Sequence, residues 1–411
     1  VKIFIKSFYI FYKLMKYDFA IIGSGIIGLT LAFKLKQKFK NSRIIIFEKE
    51  LDSVSHGSGR NSGVLHSGIY YEPGSLRAKL CTKGVKELKE YIKSENLWID
   101  ECGKLLLPTS EFSFSNLNNL FDRASKNRVE ISKIDKKDIE DLEPNVNCKF
   151  DYGLYVPFTS VADPKEVSNS LIKTLKKMNV SIQYNTKIFR ISESTLVTKN
   201  STISAEHIFN CAGLFADEIA KDSKLEFRYS FLPFKGKYWK IKNKNFKLKH
   251  LIYPIPDLRY PFLGLHSSHN RNGDFYIGPS STPVFGREQY DGFFGKSFKE
   301  NINLFFNFSK KIVFNENKLR SLAMKELSLL TKGGFFNEIK NMFKNLKPNE
   351  LELSNQKVGI RSQIFDPNQK NLVNDFVVIN QRNTTHVLNA ISPAWSASFA
   401  FAEHLIDQAN L

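Results

Sequence analysis

The run Gly23-Ser24-Gly25-Ile26-Ile27-Gly28 constrains this chain more than any other stretch. A short apolar run, Tyr17 to Ile22, leads into it, and a largely apolar helical pattern with Leu29, Leu31, Ala32, Phe33 and Leu35 follows. A second apolar run, Arg43 to Phe47, then ends at Glu48. Strand, turn, helix and strand in that order form the unit that binds a dinucleotide. The first glycine permits the tight turn, the second lets backbone approach a pyrophosphate, and the third lets helix pack on strand. The helix N-terminus presents unpaired N–H groups and the positive end of its dipole to the phosphates. Glu48, 20 positions past Gly28, falls where an acid accepts hydrogen bonds from the adenosine ribose, and Lys49 adjoins it. A small-residue turn in an ordinary α/β unit would explain the glycines but not the acid.

At 411 residues the chain exceeds one ordinary core, and about two domains are expected. Cys81, Cys102, Cys148 and Cys211 show no CxxC or Cys/His clustering, so neither a metal site nor a disulfide framework is predicted, and a reducing cytoplasm fits. The net charge of +19 raises nucleic acid or an anionic membrane as partners. Lysine, asparagine, isoleucine and phenylalanine are abundant together, a compositional bias without an aromatic RNA-binding signature, so nucleic acid is set aside. There is no run of 18 or more apolar residues to make a transmembrane helix. The opening VKIFIKSFYIFYKL is too short to span and lacks a cleavage site. Met15-Lys16 resembles a natural start, which makes residues 1–16 an extension; a basic interfacial anchor is the alternative.

Periodicity predicts helices over Leu76–Glu95, Phe114–Asn127, Asp163–Met178 and Ser396–Gln408, with Asp163 as cap and Pro164 at the first position. Short strands are expected at 103–108, Gly153–Val156, Val180–Tyr184, Lys187–Ile191, His207–Asn210, Leu251–Ile255, Phe275–Gly278, Val358–Ser362, Phe376–Ile379 and His386–Asn389. The run KGKYWKIKNKNFKLK, residues 235–249, has seven lysines and no acid and predicts a strand with a solvated face. Residues 298–347 are helix-like and rich in phenylalanine and lysine. The simplest fold is α/β: a Rossmann-like, doubly wound cofactor domain from residues 17–96, 151–222 and 356–411, interrupted by a mixed α+β substrate domain from 97–150 and 223–355.

After Glu48 the chain passes at once into the glycine-rich GRNSGVLHSGIYY, residues 59–71, instead of further βα units. Its small residues would let backbone N–H groups lie against a large flat ring, which favours an isoalloxazine over a nicotinamide. Here the residues carry a specific likeness. YDFAIIGSGIIG, HGSGRNSGVLHSGIYYEPGSLRAKLC, CGKLLLPTS, DLEPNV, NCAGLFAD, LPFKGKYW, LIYPIPD, GLHSS, VGIRSQ and LNAISPAWSAS resemble successive motifs of L-2-hydroxyglutarate oxidases and dehydrogenases, FAD enzymes of the D-amino-acid-oxidase-like superfamily. The resemblance runs from Tyr17 to the C-terminus. It implies non-covalent FAD, oxidation of an L-2-hydroxy dicarboxylate to the 2-oxo acid, and electrons passed to quinone or another acceptor. Trp395 stands where members often have a small residue, and Lys235 where they often have arginine; lysine keeps the charge without the bidentate fork.

Removing hydride from a carbon bearing a hydroxyl requires a base, clamps for the carboxylates and a flavin beside that carbon. His66, after the flavin-facing glycines, is the expected base, and His266 in GLHSS is expected to orient substrate. Arg361 is the natural carboxylate anchor, helped by Tyr253, Tyr238 and Lys235. Arg60, Asn61, Ser62, Gly63 and Val64 are expected beside the cofactor, as are Cys211, Ala212 and Gly213. The turn Ser392-Pro393-Ala394 opens a helix whose dipole would face the flavin pyrimidine edge. Two alternatives stay open: a flavin amine or amino-acid oxidase, and a flavoprotein-like binding protein without chemistry. The charge and phenylalanines of the second domain also admit a peripheral contact with the anionic cytoplasmic membrane face.

Overall fold

The computed structural model describes residues 16–258, 262–293, 295 and 297–411, so the opening segment and the start call at Met15 lie outside the described residues. Lys16–Ile22 is the middle of a parallel sheet, with Ile44–Phe47 on one side and Thr202–Asn210 on the other. Ser181–Gln183 and Thr384–Val387 extend it outward, so strands far apart in sequence lie in one layer. All four residues of Ile44–Phe47 are buried, as a parallel strand covered on both faces requires.

Helices Ile26–Lys38, Leu76–Ser94, Pro164–Lys177 and Ala394–Gln408 build the main core over one face, with Leu29, Leu88, Leu171 and Phe401 fully buried. The other face carries the hairpin Arg190–Val197 and the helix Ala216–Asp222. Asp163 caps its helix by accepting from the N–H groups of Lys165 (2.8 Å) and Glu166 (3.2 Å), and Pro164 fills the first position where an N–H is not needed. The predicted helix 114–127 is instead two pieces, Glu111–Ser115 and Leu117–Lys126, because Ser110 caps the first and Asn116 joins them.

Two further sheets stand over the carboxyl ends of the parallel strands. One orders His266–His269, Phe275–Gly278, Phe234–Ile241 and Leu351–Arg361 antiparallel. The other orders Leu251–Pro254, Lys104–Leu107, Tyr152–Val156 and Ser132–Asp135. The lysine run corrects the prediction for 235–249. Phe234–Ile241 is a central strand bonded along both edges, and Lys235 is 1% exposed. Lys237 and Lys240 are half-buried, and Lys242, Lys244, Lys247 and Lys249, past the strand's end, face solvent. Helices Phe298–Val313, Leu319–Ser328 and Lys332–Ile339 complete this region. No helix among the described residues is long and apolar enough to cross a membrane.

Candidate active site

One long cleft of about 2390 Å³, its open mouth included, runs from the glycine turn to the antiparallel sheet. Gly23, Gly25, Ile26 and Ile27 line its first end. Gly23 has φ +100°, and a Cβ there would lie 2.6 Å from the carbonyl oxygen of Cys211, so only glycine fits. Gly28 is set back from the cleft: its added Cβ would meet the Gly23 carbonyl at 2.1 Å, which is the helix-packing role expected of the third glycine. Ser24 is also set back, donating its N–H (2.9 Å) and hydroxyl (2.7 Å) to the Glu48 carboxylate, which lines the cleft. Lys49 lines it too, held by ion pairs to Glu50 and Glu288.

The helix starting at Ile26 has no side-chain cap from Gly25, and its Ile26 N–H donates to the Ser58 hydroxyl at 2.9 Å. The helix starting at Ala394 likewise has no side-chain cap. Both N-termini open on the same cleft, where Ser392, Pro393, Ala394 and Trp395 form one wall. The Trp395 indole N–H is buried without a partner among the described residues. Between the two ends lie Arg60, Asn61, Ser62 and Val64 on one side and Cys211, Ala212 and Gly213 on the other. Gly63 is turned away; its φ of +79° and its approach to the Ala162 carbonyl let Val64 pair with Val161. Two uncapped helix ends, an acid at a strand end and an orphan indole N–H suit a ligand with an anionic middle and a polar ring edge.

His66, His266, Tyr238 and Arg361 line the far end. The backbone of His66 is pinned, its N–H donating to the Ser396 hydroxyl (2.8 Å) and its carbonyl accepting from the Cys81 thiol (3.2 Å). Burial first, then the charges of Lys104, His266 and Arg77, hold the His66 imidazole well below the usual histidine range, so it is neutral at pH 7. His266 is pulled down to about 3, mainly by burial. Its Nδ1 lies 2.9 Å from the Gly264 carbonyl, which only accepts, so Nδ1 carries the proton and Nε2 is left as an acceptor. Burial lifts the Tyr238 hydroxyl to about 12, so it remains a phenol. The Arg361 guanidinium is half-buried on the cleft wall, donates to the Ser280 carbonyl and the Ser281 hydroxyl at 3.1 Å each, lies 5.2 Å from the Phe262 ring, and feels the charge of Glu326 beyond ion-pair distance. Among the described residues it has no carboxylate within ion-pair distance.

Two expected substrate contacts fall outside the cleft. Tyr253 is fully buried behind it, its ring stacked on His266 at 3.9 Å, so it backs the imidazole instead of facing the opening. Lys235 turns its ammonium to the Gly292 carbonyl, which removes it as a carboxylate clamp. Sequence reasoning missed Arg77, whose guanidinium ties the turn before the second helix by donating to Asn374 (2.6 Å) and Ser392 carbonyls. It also missed Lys104, fully buried with its ammonium 4.6 Å and 5.0 Å from the Tyr70 and Tyr253 rings and without a hydrogen-bond partner among the described residues. The signal was a lone charge in the leucine strand of CGKLLLP. Nor did linear spacing reveal that Asp100, Cys102 and His269 gather with donor atoms within 4.8 Å; His269 and Asp100 pair there at 2.8 Å.

The fold and cleft define a two-layered dinucleotide-binding protein whose catalytic end is roofed by an antiparallel sheet. The chain belongs to the family of FAD dependent oxidoreductases, whose sequence profile matches residues 18–408. It is 31% identical over 402 residues to an L-2-hydroxyglutarate dehydrogenase of Escherichia coli, covering 95% of this chain and 93% of that one. It is also 31% identical over 425 residues to a mitochondrial L-2-hydroxyglutarate dehydrogenase of Dictyostelium discoideum, covering 96% and 92%. In fold it is similar to an FAD-bound L-alpha-glycerophosphate oxidase of Mycoplasma pneumoniae, with a TM-score of 0.76 at 21% identity over 97% and 96% of the two chains. The cofactor is FAD, and the features of the cleft fit it.

Proposed function

We propose that this chain oxidises L-2-hydroxyglutarate, or a close L-2-hydroxy acid, to the 2-oxo acid. The observation that carries the reading is Arg361: a half-buried, charged fork on the cleft wall with no carboxylate within ion-pair distance among the described residues. An anionic substrate entering the cleft supplies the carboxylate that this fork lacks. Arg361 anchors a substrate carboxylate bidentately, and the Tyr238 hydroxyl adds a donor. The neutral His66 takes the hydroxyl proton on its imidazole, while His266, backed by Tyr253, accepts a hydrogen bond at Nε2 and orients the substrate. FAD, when bound, supplies the hydride acceptor.

On the cofactor side, the N–H groups at Gly25 and Ile27, with the Ser58 hydroxyl that the Ile26 N–H holds, would face the pyrophosphate, and Glu48 the ribose. The N-terminus at Ala394 favours negative charge on the pyrimidine edge. The reading extends to a cytoplasmic protein in peripheral contact with an anionic membrane, delivering electrons to a quinone or another acceptor. Anaerobic bleaching of the flavin against 2-hydroxy acids, glycine, sarcosine and D-amino acids tests the substrate class. Bleaching by the amino acids and not by the 2-hydroxy acids would replace this reading with an amine oxidase.

A further inference from the structure

The helix Phe298–Val313 is apolar on two faces. Leu304 and Phe308 point inward, with Phe308 packed on Phe234 at 5.5 Å. On the opposite side Phe298, Ile302, Phe305, Phe306 and Val313 are exposed, at positions four, seven, eight and fifteen along from the first. That spacing makes one stripe along the helix. Phe298 and Phe306 are 77% and 67% exposed. Phe314 at the helix end and Met324 and Leu327 on the following helix continue the apolar ground, at 68%, 67% and 61% exposed. A surface helix normally keeps one apolar stripe, the one facing the core, and a second, exposed stripe of this kind marks a surface that meets something.

The charge around the stripe selects the occupant. Lys299, Lys310, Lys318, Arg320, Lys325 and Lys332 are exposed on this stretch. Its acids mostly turn inward: Glu300 pairs with Arg287 at 3.0 Å, and Glu326 accepts from the Ser281 N–H at 2.7 Å. A second copy docked by the same face would set these cations against their own counterparts. An anionic lipid surface meets them with opposite charge while phenylalanines enter the acyl boundary and lysine stems reach back to the headgroups.

We propose that the exposed face of Phe298–Ser328 is the surface by which this protein docks on an anionic bilayer. This rests on the proposed peripheral membrane contact and assigns it a place in the fold. The same helix is joined to the cleft through packed rings: Phe308 meets Phe234, Phe234 meets Phe262 at 5.0 Å, and Phe262 faces Arg361 at 5.2 Å. The docked face is therefore a few side chains from the substrate end, where a lipid-soluble acceptor would approach.

The test is flotation of the full-length, FAD-loaded protein with vesicles of phosphatidylcholine alone or mixed with phosphatidylglycerol, at low and high salt, beside the double variant Phe298→Glu/Phe306→Glu. Both side chains are largely solvent-exposed, whereas Phe305 beside them rests on Phe285 at 5.4 Å and is left in place, so the variant is expected to fold. Wild type should float only with the anionic vesicles and less at high salt. The variant should bind about tenfold more weakly or worse, with flavin reduction by substrate in solution unchanged. If wild type floats and the variant floats equally, the docking face is wrong while the membrane contact stands. If wild type fails to float even at low salt, both fall. A wild-type dimer in sedimentation that the variant dissolves would overturn the proposal in favour of a second copy. Loss of flavin reduction would bear on the activity instead, and the variant's flavin spectrum and thermal unfolding show whether it is folded.

Discussion

Replacing Arg361 with methionine separates a binding role from a structural one. The guanidinium makes two hydrogen bonds, to the Ser280 carbonyl and Ser281 hydroxyl at 3.1 Å each, and no ion pair among the described residues. Those bonds, from a half-buried group at a cleft wall, are worth at most about 1.5–3 kcal/mol each, while removing the charge returns part of its desolvation cost. The two nearly offset, so the substrate-free holoenzyme should unfold within about 3 °C of wild type. Binding has no such compensation, because the clamp on a buried carboxylate is lost. Truncating one partner of such a pair costs about 2–4 kcal/mol, or roughly 30- to 1000-fold in affinity. The assay is titration of the oxidised flavin spectrum with the 2-oxo acid product, together with KM for the hydroxy acid and a thermal scan. A variant that unfolds more than about 10 °C lower and binds the product as tightly as wild type would make Arg361 a structural residue and refute the argument.

Gly25→Leu should abolish flavin content, since a side chain there enters the cleft beside the Ser58 hydroxyl, 3.1 Å from the added Cβ; full FAD occupancy in the purified variant would count against the fingerprint. His66→Ala should keep its flavin yet slow anaerobic reduction by roughly a hundredfold or more, and an unaltered stopped-flow rate would pass the base role to His266. Lys104→Met should move the acid limb of the reduction rate to higher pH, because a cation that opposes protonation of His66 is gone; an unmoved limb would leave Lys104 a packing residue. Stability should fall as pH drops below about 6.5. His207 and His386 are pulled down to about 4 and His266 to about 3, mainly by burial, so the unfolded chain takes up protons there that the fold does not. The stabilisation is complete above the unfolded value and declines toward the folded ones, by roughly 2 kcal/mol per histidine at pH 5, and a flat unfolding temperature between pH 7 and pH 5 would contradict it.

What could be read from the sequence was what neighbours along the chain dictate. The glycine turn needs positive φ and close backbone approach within a few residues, and Asp163-Pro164 carries its cap in its own spacing. Glu48 ends a strand whose position follows from the same unit. The misreadings share the opposite cause. Lys235 looks solvated until Leu351–Arg361 and Phe275–Gly278 pair along both edges of its strand. Tyr253 lies beside His266 only because the strand Leu251–Pro254 comes to rest against the strand that begins at His266, the Ile252 N–H donating to the Ser267 hydroxyl at 2.7 Å. Arg77 acquires its role from Asn374 and Ser392, about 300 residues away. Lys104 looks like one more lysine in a basic chain until the aromatic rings of Tyr70 and Tyr253 enclose it. Arg361 stands out in its motif, but that no carboxylate among the described residues lies within ion-pair distance of it belongs to the tertiary structure.

The most direct measurement is a single turnover: FAD-loaded protein mixed without oxygen with L-2-hydroxyglutarate or its D enantiomer, with flavin absorbance and 2-oxo acid followed together. The account predicts fast bleaching by the L form only and one 2-oxoglutarate formed for each FAD reduced. An enzyme that bleaches equally with both enantiomers, or with neither while a D-amino acid or sarcosine reduces it, would contradict the central claim.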